Sequence, residues 1–102
     1  MEENEQIAFN IIANAGSAKS LYIEIINKCE IEAFDSIDDM FEEAEGYLIE
    51  AHKTHSGLIQ NEAVGNKTKF SLLLMHAEDQ LMQTETIKLL AQKFYKLYRK
   101  VL

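Results

Sequence analysis

Not one of the 102 residues is proline, and only four are glycine. Proline breaks a helix by removing a donor and clashing with the preceding turn, and glycine weakens one through backbone entropy. A chain nearly free of both accommodates long, uninterrupted helices. Its apolar residues then recur at spacings of three and four. Ile7, Ala8, Ile11, Ile12, Ala15, Ala18, Tyr22, Ile25, Ile26 and Cys29 mark an amphipathic helix over residues 4–29. Gly16 lies within it at a cost of about 1 kcal/mol relative to alanine, and close packing of a neighbouring helix is the expected compensation.

A second helix is predicted over residues 36–61, opened by Ser36 and Asp39 in a capping-box arrangement. Ile37, Met40, Phe41, Ala44, Leu48, Ala51, His55 and Leu58 form its inner line, and Asp38, Glu42, Glu43, Glu45 and Glu50 its acidic outer face. Residues 62–67 read as a loop with Gly65-Asn66 as the turn. Thr68 is the expected N-cap of a third helix running nearly to Leu102. Three long helices with short connections predict an all-α, up-down-up three-helix bundle, a single domain spanning residues 1–102.

The third helix carries a polar group in an apolar setting. At about 100° per residue, His76, Asp79, Gln80 and Gln83 share one quadrant. Leu72 and Leu73 precede them on that side, and Ile87, Leu90, Phe94, Leu97 and Val101 follow. A line apolar at both ends is expected to face inward, with its polar middle partly buried and in need of partners. Leu72, Leu73, Leu74, Met75, Leu81 and Met82 also cover more than one face. Two neighbours cannot enclose a helix that is apolar all round, so a homo-oligomer is expected with the third helix at the subunit interface.

With 26% charged residues and 47% hydrophobic ones, the chain has a globular composition. Its net charge of -7 argues against nucleic-acid or anionic-membrane partners. The acidic first residues do not resemble a secretory signal, no apolar run is long enough to insert in a membrane, and a cytoplasmic location is expected. Cys29, the lone cysteine, permits no intrachain disulfide and reads as a small hydrophobe of the first helix.

Three histidines could carry chemistry. His52 and His55 are three apart, as metal ligands can be, but no second His/Cys pair completes a zinc site. His55 alone reads as a hydrogen-bonded core residue. His76 and Asp79, one turn apart, have more content. They suit an oriented imidazole–carboxylate pair, or a nucleophile beside a structural anchor, or a polar plug that sets oligomer register.

The stretch His76-Ala77-Glu78-Asp79-Gln80-Leu81-Met82 resembles the His-Ala/Gly-Gln-Asp-His-Leu-Met motif of the lactose/cellobiose-type enzyme IIA proteins of the bacterial sugar phosphotransferase system. Asn14-Ala15-Gly16-Ser17-Ala18-Lys19-Ser20, Glu50-Ala51-His52 and Glu62-Ala63 add weaker matches, and the similarity covers essentially the whole chain. The resemblance implies a homotrimer of three-helix protomers. It implies that His76 accepts a phosphoryl group from the phosphocarrier HPr and passes it to a cysteine of the cognate IIB protein. It further implies that Asp79 from three chains surrounds one divalent metal ion, magnesium first, on the trimer axis.

The sequence departs from the family at Gln80, where a second histidine is usual, at Gln83, where threonine is, and at His55, where glutamine is common. An antiparallel pair of helices turning near Gly65 brings positions 55 and 76 to similar heights, which suggests that His55 and Gln80 are a reciprocal exchange keeping one His–Gln set near the site. Two other readings differ in kind. A two-component histidine-phosphotransfer domain resembles His-x-x-Lys-Gly at its site, whereas Asp79-Gln80 stand at the Lys-Gly positions here. A non-catalytic trimeric interaction module is the alternative that Gln80 keeps open.

Overall fold

A computed structural model describes residues 2–101, in three helices: α1 (Glu3–Glu30), α2 (Ile37–Ala63) and α3 (Leu72–Val101). The up-down-up bundle is 53 Å long and 25 by 20 Å across. The helix ends have local chemical causes. Both α1 and α2 close with a backbone bond from the third residue past the helix to a carbonyl five residues back: Ala33 N–H to Lys28 O at 2.9 Å and Asn66 N–H to Asn61 O at 2.9 Å. This capping motif needs a left-handed residue. Gly65 supplies it after α2 at φ 97°, and Glu32 supplies it after α1 at φ 58°, without glycine's freedom.

Two predicted caps are corrected. Ser36 precedes α2 but makes no side-chain capping bond, and its hydroxyl lies 3.8 Å from the Met40 sulfur instead. The start of α3 is held by Ser71, not Thr68: the Ser71 Oγ accepts from the Leu74 N–H at 3.1 Å. That bond satisfies one of the four donors a helix start leaves open.

The core follows the predicted stripes of α1 and α2. Ala8, Ile11, Ala15, Ala18, Tyr22, Ile25 and Cys29 are buried on α1, and Ile37, Met40, Ala44, Leu48, Ala51 and Leu58 on α2. Burial also pushes the Cys29 thiol pKa up, so the thiol stays protonated and inert. Gly16 is a different matter: a methyl group there would meet no atom within 4 Å. Close packing within the chain does not account for it.

The three helices are not equivalent. α1 lies along both partners, while α2 and α3 scarcely meet backbone to backbone. Alanines at buried positions of every helix permit the close approaches to α1. Thr84 of α3 records one: its buried hydroxyl lies 3.1 Å from the Ala15 carbonyl of α1, and 2.8 Å from the Gln80 carbonyl one turn back. The α2–α3 seam is spanned by long polar side chains. Glu45 pairs with Lys88 at 2.8 Å, His52 with Glu85, and His55 with Glu78 at 2.7 Å.

Candidate functional site

α3 turns its polar residues outward. Leu74, Ala77, Leu81, Thr84 and Ala91 form the buried stripe, whereas His76, Asp79 and Gln83 are exposed and Gln80 is half-buried. The centre of the exposed line lies roughly 140° round the helix from that of the buried one. The expected inward patch is therefore corrected to an outward ridge. Its apolar members share this orientation: Leu72 is 78% exposed and Val101 73%, and Leu90, Phe94 and Leu97 are exposed as well. Leu73 and Ile87 alone of that line pack partly against the core. The physical reason is size. Close contact with α1 selects the small Ala77, Thr84 and Ala91 beside Leu74 and Leu81 on the inner side, leaving Leu72, Met75, Met82, Leu89, Leu90 and Leu97 outside.

On the ridge, His76 stands with its ring making no hydrogen bond to any described residue. The imidazole–carboxylate pair does not form within the chain. The Asp79 Oδ2 instead accepts from the Gln83 Nε2 at 2.8 Å, and the Gln83 Oε1 accepts from the Lys19 Nζ of α1 at 3.3 Å. Lys19 thus brings a cation to the flank of the ridge. It lies in the Asn14–Ser20 run, but only the helix register shows that it reaches α3.

The proposed His55–Gln80 set does not form either. The His55 Nδ1 lies 2.7 Å from the Glu78 Oε1 across the seam, while the Gln80 Oε1 is buried without a partner. His52 is likewise committed to Glu85. Among the described residues of one chain, no group of three or more His, Cys, Asp or Glu side chains is arranged to hold a metal.

Beneath the seam, Tyr22 is fully buried and its hydroxyl has no partner. Burial first, then the Glu45 and Glu85 carboxylates, pushes its pKa up to about 12. Tyr95 of α3 is also raised, by burial first and by Asp38, against an opposing pull from Arg99. The Arg99 guanidinium stands 4.8 Å from the centre of the Tyr95 ring.

This bundle offers His76 at its surface, on the exposed ridge of α3. The family profile described as "PTS system, Lactose/Cellobiose specific IIA subunit" matches residues 6–99. The chain belongs to that family of phosphotransferase-system IIA subunits. It is 40% identical over 96 residues to the oligo-beta-mannoside-specific EIIA component of Bacillus subtilis, a match spanning 94% of this chain and 87% of the relative. The crystal structure of the PTS cellobiose-specific enzyme IIA from Bacillus anthracis superposes with a TM-score of 0.94 at 40% identity, covering 99% of this chain and 93% of that one. The IIA(chitobiose) of Escherichia coli, solved in solution as a complex with HPr, superposes at 0.81 with 30% identity, covering 99% and 98%.

Proposed function

We propose that this chain is a phosphocarrier in which His76 accepts a phosphoryl group from phospho-HPr and passes it to a cysteine of its IIB partner. The exposed His76 ring on the outward ridge of α3 carries this reading, within a family that has a relative solved on HPr. A ring nitrogen of His76 attacks phosphorus, the N–P bond of the donor histidine breaks, and its electron pair returns to the donor ring. The IIB thiolate then attacks the same phosphorus and His76 leaves. Such transfers need little covalent help from the protein; positioning and charge stabilisation do the rest. An exposed ring suits both steps, because donor and acceptor are side chains of other proteins.

The apolar ridge supports a homotrimer built along α3. Asp79 lies about 60° round the helix from His76, so it can turn to a common axis while His76 faces a cleft between chains. One chain offers a single ridge carboxylate, so a metal site here needs the other two copies. Three carboxylates meeting on an axis repel, and a hard divalent cation such as magnesium, which takes oxygen ligands, would supply the compensating charge. No described helix is long and apolar enough to cross a membrane, which agrees with partners met in solution and with a cytoplasmic location. The sugar stays open, since the relatives are named for oligo-beta-mannoside, cellobiose and chitobiose.

The test is direct. With phosphoenolpyruvate, enzyme I and HPr, mass spectrometry is expected to find one acid-labile phosphate on His76, lost in His76→Gln. No transfer from demonstrably phosphorylated HPr overturns the reading in favour of a non-catalytic interaction module.

A further inference from the structure

A crevice of about 540 Å³ opens along the α2–α3 seam, on the side of α3 away from the His76 ridge. Its lining comes from all three helices: Tyr22 of α1, Asp38, Phe41, Glu42 and Glu45 of α2, and Lys88, Gln92 and Tyr95 of α3. We propose that this crevice binds an organic cation, a primary ammonium or guanidinium group, between the carboxylates of α2 and the rings of Tyr22, Phe41 and Tyr95.

The lining has two kinds of group that attract such a cation. Its rings form a continuous wall, with centroids 6.1 Å apart for Tyr22 and Phe41 and 5.8 Å for Phe41 and Tyr95. Aromatic faces attract cations through their quadrupole, more strongly where water is displaced. Tyr95 already attracts one cation, the Arg99 guanidinium, which stands over its ring but is not part of the crevice lining. Charge points the same way. Three carboxylates line the crevice against the single ammonium of Lys88, which is taken up by Glu45 at 2.8 Å.

Tyr22 supplies the independent observation. Its side chain is 0% exposed and its hydroxyl is unpartnered, although it borders a crevice of this size. Burial first, and then the Glu45 and Glu85 carboxylates, keep the phenol in its protonated form. An N–H donor reaching the phenolic oxygen satisfies an atom that has no partner among the described residues, while Glu45 and Glu42 hold the positive charge. Lys88 is the tethered competitor, so an incoming ammonium takes its place on Glu45 with no net change of charge there. The volume falls within the roughly 300–1,000 Å³ common for small-molecule sites. This inference does not rest on the phosphocarrier reading.

The same chemistry can arrive as a free amine or as the basic side chain of a protein. Amide and aromatic NMR spectra of the full chain are followed at physiological salt during titration with putrescine, spermidine or acetyl-Gly-Arg-Gly-amide. 1,4-Butanediol serves as the neutral control. The expected result is a saturable response confined to Tyr22, Phe41, Glu42, Lys88 and Tyr95, and absent with the diol. Tyr22→Phe and Glu42→Gln should each weaken binding at least threefold, and Lys88→Gln should strengthen it severalfold by removing the competitor. Saturation by the amines assigns a free cation, and saturation by the peptide alone assigns a partner's side chain; both uphold the chemistry. No saturable response, an equal response to the diol, or binding indifferent to Tyr22→Phe and Lys88→Gln overturns it, the last marking diffuse counter-ions on an acidic protein. Circular dichroism confirms that each variant unfolds cooperatively before its titration is interpreted.

Discussion

His55 and Glu78 meet across the α2–α3 seam with Nδ1 and Oε1 2.7 Å apart, both side chains being partly sheltered from solvent. The pair stands where α2 and α3 have little backbone contact, so its coupling should be measurable. In a double-mutant cycle of His55→Gln and Glu78→Gln by denaturant unfolding, the coupling is expected to be about 0.5–1 kcal/mol near pH 6 and to fall with added salt. Additive single effects would show that the pair is geometry without energy.

Tyr22 predicts an alkaline limit. Its folded-state pKa of about 12 exceeds the ordinary value of 10.0, so its contribution to stability is fully present below pH 10. It is lost as pH rises through about 12, because the unfolded chain releases the phenolic proton first. The loss is expected to be on the order of 2 kcal/mol. Tyr22→Phe should flatten that part of the unfolding profile. An equally steep alkaline decline in Tyr22→Phe would place its cause elsewhere.

Gly16 offers a test that separates the chain from its assembly. Nothing within 4 Å opposes a methyl group there, so Gly16→Ala should stabilise α1 by up to about 1 kcal/mol through helix propensity alone. If a neighbouring subunit packs on Gly16, the same substitution should weaken assembly in analytical ultracentrifugation while the helix content stays intact. Destabilisation with the oligomeric state unchanged would contradict both accounts.

Asp79→Leu tests the axial carboxylates. Bound divalent metal, measured by elemental analysis of the purified protein, is expected to fall from one ion per trimer to background. The trimer should persist in the variant, since leucine continues the apolar ridge. Full metal occupancy in Asp79→Leu would refute the role given to Asp79.

The first two helices could be read from the sequence because each contrasts a bulky apolar stripe with a charged face. The third could not be oriented that way. Its inner side mixes Ala77, Thr84 and Ala91 with only two leucines, Leu74 and Leu81, while Leu72, Leu89, Leu90 and Leu97 lie outside, so hydropathy does not tell the two sides apart. The chemistry of His76, Asp79 and Gln83 singles them out, but their apolar neighbours on the same line suggest burial within the bundle, whereas in one chain all three are exposed. The pairing of His55 with Glu78, and not Gln80, depends on a register between helices that antiparallel geometry constrains only to within a residue or two. Lys19 was hidden for the same reason, since its contact with Gln83 spans 64 residues of chain.

The place of α1 between its partners also bears on how the molecule is made. Of the three helices, α1 precedes the other two in the chain and holds both, and its contact with α3 joins residues as far apart as Ala15 and Thr84. A ribosome must therefore release most of the chain before the first helix is covered on its second flank. Until then, α1 and α2 form a hairpin with an uncovered apolar margin, the kind of surface that invites aggregation during synthesis. A chain ending before Leu72 is expected to behave as that hairpin, loosely packed and prone to associate. Completion of α3 closes the last flank.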